Sequence, residues 1–178
     1  MPFLKVTPLS RLAEVVARVE ASHVVTLINQ GTPVARPPSI EPARHLYIGM
    51  SDITEAQEGH ILPGEAHVER LLAFVEGWDK DRPLVFHCWA GISRSTAAAY
   101  ITACALDPHR NEEEIAAALR AASPSATPNA RLIEAADAVL GRAGRMKKAV
   151  AAIGRGQEAM EGAPFRLHLA HHPHPRSR

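Results

Sequence analysis

Pro83-Leu84-Val85-Phe86-His87-Cys88-Trp89-Ala90-Gly91-Ile92-Ser93-Arg94-Ser95-Thr96 decides how this chain is read. The apolar run at 83–86 predicts a strand, and Ser95-Thr96-Ala97-Ala98-Ala99-Tyr100 predicts a helix, so a tight loop carries Cys88 from a strand end to a helix start. The first turn of a helix has unpaired N–H groups and a partial positive charge, which suit a bound anion and favour a thiolate. Gly91 lets the backbone turn so that successive N–H groups point inward, and Arg94 adds a planar fork of donors matched to two phosphate oxygens. Ser95 can donate a hydrogen bond to the sulfur. A lone cysteine is ordinarily a small packing residue. What sets Cys88 apart is the company of His87, Gly91, Arg94 and Ser95 at this spacing, in this strand–loop–helix context.

The string has the form His-Cys-x5-Arg-Ser/Thr and resembles the signature of the cysteine-dependent protein tyrosine and dual-specificity phosphatases, with all fixed positions matched. Rhodanese-type sulfurtransferases also use a cysteine loop on an α/β scaffold. Low-molecular-weight phosphatases and arsenate reductases share the Cys-x5-Arg spacing but place it near the chain start, whereas Cys88 is mid-chain. The resemblance implies a three-layer α/β fold of the dual-specificity phosphatase type, with a central, mostly parallel sheet of about four to five strands flanked by helices. It implies two-step phosphomonoester hydrolysis through a phosphocysteine. In that scheme Cys88 is the nucleophile, and the loop at Trp89, Ala90, Gly91, Ile92 and Ser93 holds the phosphate together with Arg94. Ser95 eases the departure of sulfur, His87 orients the loop, and neither cofactor nor metal is needed.

The remaining role is a general acid. His23–Asn29, rich in β-branched residues, and Arg44–Met50, with a strand's alternation, predict two further strands, and Asp52 follows the second directly. In an open parallel sheet the ligand crevice lies beyond the carboxyl ends of the strands, so Asp52 shares an edge with Cys88. Asp79 and Asp81 precede the cysteine strand and fall at its other end, about 20 Å away at about 3.3 Å per residue. Glu55, Glu58 and His60 share the Asp52 loop and stay open as alternatives, and Ser51-Asp52 is also ordinary turn chemistry. The resemblance favours Asp52, because dual-specificity phosphatases carry their acid on the loop after a preceding strand.

Around this centre the pattern predicts a short edge strand at 3–6, a helix capped by Ser10 and running to Glu20, and a proline-rich loop from Gly31 to Pro42. An amphipathic helix follows from Pro63 to Asp79 with Trp78 in the core, and Asn111 caps another. Pro128-Asn129 opens a last helix, as in many dual-specificity phosphatases, where the Asn region supports the phosphate loop; a helix start accounts for Asn129 equally well. The expected division is a phosphatase-like α/β domain over 1–145 and a C-terminal extension over 146–178, partly helical and then a flexible tail with four histidines, mobile rather than built to hold a metal.

At 178 residues and 46% hydrophobic the chain suffices for one core. A formal charge of +1 gives no reason to expect nucleic-acid or membrane partners, and two cysteines make no disulfide framework. Cys104, in an apolar setting, reads as packing. Met1–Pro8 carries no apolar secretory core and no run of about 18 apolar residues occurs, so the expectation is a soluble cytoplasmic protein. Trp89, Ala90, Ile92 and Ser93 include no lysine to meet additional phosphates, which favours a phosphorylated protein, phosphotyrosine above all, over an inositol phosphate or another small phosphoester. A phosphate-binding module without turnover is the alternative from another class.

Overall fold

The two most apolar strands read as continuous hydrophobic runs because both of their faces are covered. In the computed structural model, which describes residues 2–170, every residue of β2 (His23–Ile28) and β4 (Leu84–Cys88) is buried. Their parallel register sets Val24 beside Val85, Val25 beside Phe86 and Thr26 beside His87. With β1 (Phe3–Pro8) and β3 (His45–Gly49) they form a parallel sheet that a fifth strand, β5 (Phe165–His168), completes antiparallel to β1. The order is β3-β2-β4-β1-β5, so the cysteine strand is central.

Alternation along β2 and β4 divides the core. Val24 and Val85 face one side, under α1 (Leu12–Val19) and the loop that carries Ile40. Val25, Leu27, Leu84 and Phe86 face the other side and join the larger cluster, which includes residues of α2 (Glu65–Glu76), α3 (Arg94–Leu106), α4 (Glu112–Ala122), α5 (Ala130–Val139) and α6 (Arg145–Ile153). α3 has no polar stripe; its residues from Arg94 to Cys104 are all buried, and its alanines let it pass close to its neighbours. The expected α/β architecture with a mostly parallel sheet is the one observed.

Several local expectations change. β1 is not an edge strand: it lies between β4 and β5, because the 165–168 segment supplies a partner that was not anticipated. Ser10 does not cap α1; a 3-10 turn at Leu9–Arg11 precedes the helix, and the Ser10 hydroxyl donates to the Glu161 carboxylate at 3.0 Å. Residues past 145 pack against the rest of the fold. Asp137 on α5 accepts the N–H groups of Gly144, Met146 and Lys147 with its two oxygens, fastening the start of α6, and Met146, Ala149, Phe165, Leu167 and Leu169 belong to the main core. The histidines at 171, 172 and 174, expected in a flexible tail, lie outside the described residues. Among the described residues no helix is long and apolar enough to cross a membrane.

Leu167 is 1% exposed. Leu167→Ala should therefore lower unfolding free energy by about 2–4 kcal/mol, as a core truncation does, read from the urea midpoint. A loss below about 1 kcal/mol would place β5 outside the cooperative core.

Candidate active site

The carboxyl ends of β2, β3 and β4 bring Asn29, the Met50–Asp52 turn and Cys88 to one edge of the sheet, as the strand-end rule requires. A cavity of about 440 Å³ opens there, lined by Cys88, Trp89, Ala90, Ile92, Ser93 and Arg94, with Asn29 and Asp52 beside them and Ala159 and Met160 from the C-terminal segment. Glu55, Glu58 and His60 line neither this cavity nor the larger one next to it. Asp79 and Asp81 sit in the turn before β4, where Asp79 Oδ1 accepts the Asp81 N–H.

Five carbonyls of the loop from Cys88 to Arg94, those of Cys88, Trp89, Ala90, Ile92 and Ser93, are tied to other parts of the chain. The His87 imidazole reaches the Cys88 carbonyl at 3.1 Å, the Leu9 N–H donates to Trp89 at 3.2 Å, and the Gly162 N–H to Ala90 at 2.8 Å. The Ile92 carbonyl accepts from Thr127 N–H (2.9 Å) and from the Thr96 hydroxyl (2.6 Å), and that of Ser93 from the N–H groups of Ala97 (3.1 Å) and Asn129 (3.2 Å). In a trans peptide the carbonyl and the following N–H point opposite ways, so carbonyls held outward turn the next N–H groups toward the cavity. Gly91 allows this with φ +69°. A Cβ there would stand 2.8 Å from the backbone nitrogen of Pro8, so no other residue fits.

Cys88 is buried at the loop base. Its sulfur accepts the Gly91 N–H at 3.3 Å and lies 3.1 Å from the Ser95 hydroxyl. Arg94, the first residue of α3, is anchored along one edge only: Nη1 donates to Asn29 Oδ1 (2.7 Å) and to the Met50 carbonyl (2.9 Å), while the buried Nε has no protein partner. The guanidinium is thus fixed in direction with a donor in reserve. Asp52 accepts on a single oxygen, Oδ1, from the Ser93 hydroxyl (2.7 Å) and Asn129 Nδ2 (2.9 Å). Asn129 also caps α5 by accepting the Leu132 N–H, so the same side chain starts the helix and reaches Asp52. Trp89 is 61% exposed and lines the cavity, so it does not pack beneath the loop. Cys104 is buried among the core residues, and its thiol is pushed up to about 11, chiefly by burial.

His87 is buried at the pairing position of Thr26 on β2. With Nδ1–H donating to the Cys88 carbonyl, Nε2 must accept, and it does so from the Thr26 hydroxyl at 2.6 Å; the Thr26 oxygen in turn accepts from His45 Nε2 at 2.7 Å. Burial pushes the His87 imidazole down to about 4, so it is neutral near pH 7 and one tautomer is held. Thr26, His45 and Asn29 escaped the sequence reading. Asn29 follows β2 at the same sheet edge as Asp52, but that position alone does not mark it.

No family model and no curated protein sequence matches the chain. Solved structures do. The PTP-2 phosphatase of Cydia pomonella superposes with TM-score 0.58 at 17% identity, over 75% of this chain and 83% of that one. DUSP15 gives TM-score 0.61 at 18% identity over 85% and 92%, and human DUSP28 gives 0.57 at 18% over 77% and 93%. The fold is therefore that of the protein tyrosine and dual-specificity phosphatases.

Two outcomes test the His87 arrangement. Thr26→Val removes the hydroxyl between two imidazoles and should cost about 1–3 kcal/mol of stability. The unfolded chain protonates His87 near pH 6.5, the folded chain only near about 4, so unfolding takes up a proton in that window. The stability present above pH 6.5 should fall as pH is lowered, by about 3 kcal/mol at pH 4 from this group. Urea melts of wild type and His87→Gln across pH 4–7 check this, with a shallower fall in the variant expected.

Proposed function

We propose that this protein is a cysteine-dependent phosphatase that hydrolyses phosphomonoesters, with phosphotyrosine in proteins as its main substrate class and phosphoserine or phosphothreonine as secondary ones. The observation that carries the reading is the convergence on one cavity of the Cys88 sulfur, a loop whose N–H groups are turned inward, and an Arg94 guanidinium with an unpaired buried donor.

In the first step Cys88 Sγ attacks phosphorus while the P–O bond to the leaving group breaks. The loop N–H groups and Arg94 bind the three remaining oxygens and stabilise the charge that develops on them, already oriented before reaction. Asp52 protonates the departing oxygen. In the second step water attacks the phosphocysteine and gives a proton to Asp52. The S–P bond breaks, and Ser95, 3.1 Å from the sulfur, donates to the thiolate as it leaves. His87 stays neutral and holds the loop through the Cys88 carbonyl, transferring no proton to substrate. Asn129 and Ser93 keep Asp52 at the cavity wall.

Phosphate release from a phosphotyrosyl peptide, a phosphoseryl peptide and an inositol phosphate, all in chelator, tests the proposal. Turnover should be greatest on the phosphotyrosyl peptide. It should fall about 10³-fold or more in Cys88→Ser, about 10²-fold in Arg94→Lys and about 10²-fold in Asp52→Asn. Turnover that survives Cys88→Ser would sink the nucleophile assignment; phosphate analogues bound without any turnover would leave a binding module.

A further inference from the structure

The Gly162 N–H bond to the Ala90 carbonyl means that chain far beyond the cysteine loop is built against it. Residues 155–162 form a strap tethered at both ends. Gly156 N–H donates to Thr127 Oγ1 (3.0 Å) and Gln157 N–H to the Pro124 carbonyl (2.9 Å). At the far end Glu161 accepts from Ser10, and a Cβ on Gly162 would lie 2.8 Å from the Gly91 carbonyl oxygen. Between the tethers, Ala159 and Met160 line the Cys88 cavity.

Met160 is 97% exposed. Among the described residues the exposed large apolar side chains are Ile61, Trp89 and Met160, and two of these three line the cavity that holds Cys88 and Arg94. Apolar side chains left in water at a concave polar site mark contact with an apolar part of a ligand. A second cavity, of about 900 Å³, runs along the strap and shares Asp52, Ile92, Ser93, Ala159 and Met160 with the first. Asp52 thus stands at the junction, where a leaving oxygen would meet its acid, and the group bonded to that oxygen extends past Met160 into the larger space. The charged side chains lining that space are Asp52, Arg155 and Glu158, with Arg155 and Glu158 paired at 3.9 Å. No excess of positive charge awaits further phosphates; the space suits an uncharged ring and the peptide that carries it.

We propose, building on the phosphatase reading, that the 155–162 strap is the leaving-group wall of this site, and that Met160 with Trp89 selects aryl over alkyl phosphates by packing on the ring of a phosphotyrosyl peptide. The wall acts on binding, so it can be read separately from turnover. The Cys88→Ser protein is titrated with a phosphotyrosyl peptide and a phosphoseryl peptide of the same flanking sequence, then again with Met160→Ala, Trp89→Ala, Met160→Leu or Gly162→Val added. The ratio of phosphotyrosine to phosphoserine affinity should fall roughly tenfold in Met160→Ala and in Trp89→Ala, the scale expected for an apolar contact removed from a site. It should fall likewise in Gly162→Val, where the strap is displaced, and return in Met160→Leu. A ratio that does not move in Met160→Ala and Trp89→Ala overturns the wall. Phosphate release by the protein with Cys88 restored is followed in parallel: no release with a falling ratio removes hydrolysis and keeps the wall, whereas release with an unmoved ratio removes the wall alone.

Discussion

The site depends on backbone carbonyls being held away from it. A loop that turns several N–H groups toward one point must send its carbonyls outward, and buried carbonyls without partners would each cost about 1–3 kcal/mol. Here the partners come from five separate parts of the chain: Leu9 just after β1, His87 on β4, the first turn of α3, the 127–129 segment before α5, and Gly162. Much of the fold around the loop can be understood as the means of delivering these donors. The loop is therefore held in shape by contacts made away from the cavity.

The buried polar groups follow the same logic at longer range. His87 cannot both satisfy the Cys88 carbonyl and lie in an apolar interior unless its other nitrogen is paired, and Thr26 supplies the pair because strand register sets it alongside. Arg94 is buried as well, so the Met50 carbonyl and Asn29 give it direction at one edge. α3 carries this residue: it is buried from Arg94 to Cys104, and its first residue lines the cavity.

How much of this was legible in the sequence varies with distance along the chain. Cys88 to Ser95 could be read because strand, loop and helix are contiguous and each leaves its own pattern. Asp52 could be read because parallel strands place their carboxyl ends together, a rule that needs only the order of the strands. Asn29 obeys that rule too, but an asparagine after a strand has ordinary turn chemistry and nothing to single it out. Thr26 and His45 depend on register, which one sequence does not state. The strap and β5 were least visible. Residues 154–164 are glycine, alanine and scattered polar groups with one methionine and one proline and no period, and β5 is four residues long, with alternating burial beside a histidine-rich tail, so its pairing with β1 rests on contacts more than 150 residues apart.

That long pairing bears on the order in which the molecule can be completed. During synthesis the cysteine strand, its helix and Asp52 leave the ribosome well before residues 162 and 165–168 do, and until then the Ala90 carbonyl has no donor and one side of β1 has no neighbour. A nascent chain can collapse its core early yet hold an incompletely tethered loop. The last tether of the loop arrives only with residue 162, and the interval before it is also when an open strand edge is available for wrong pairing.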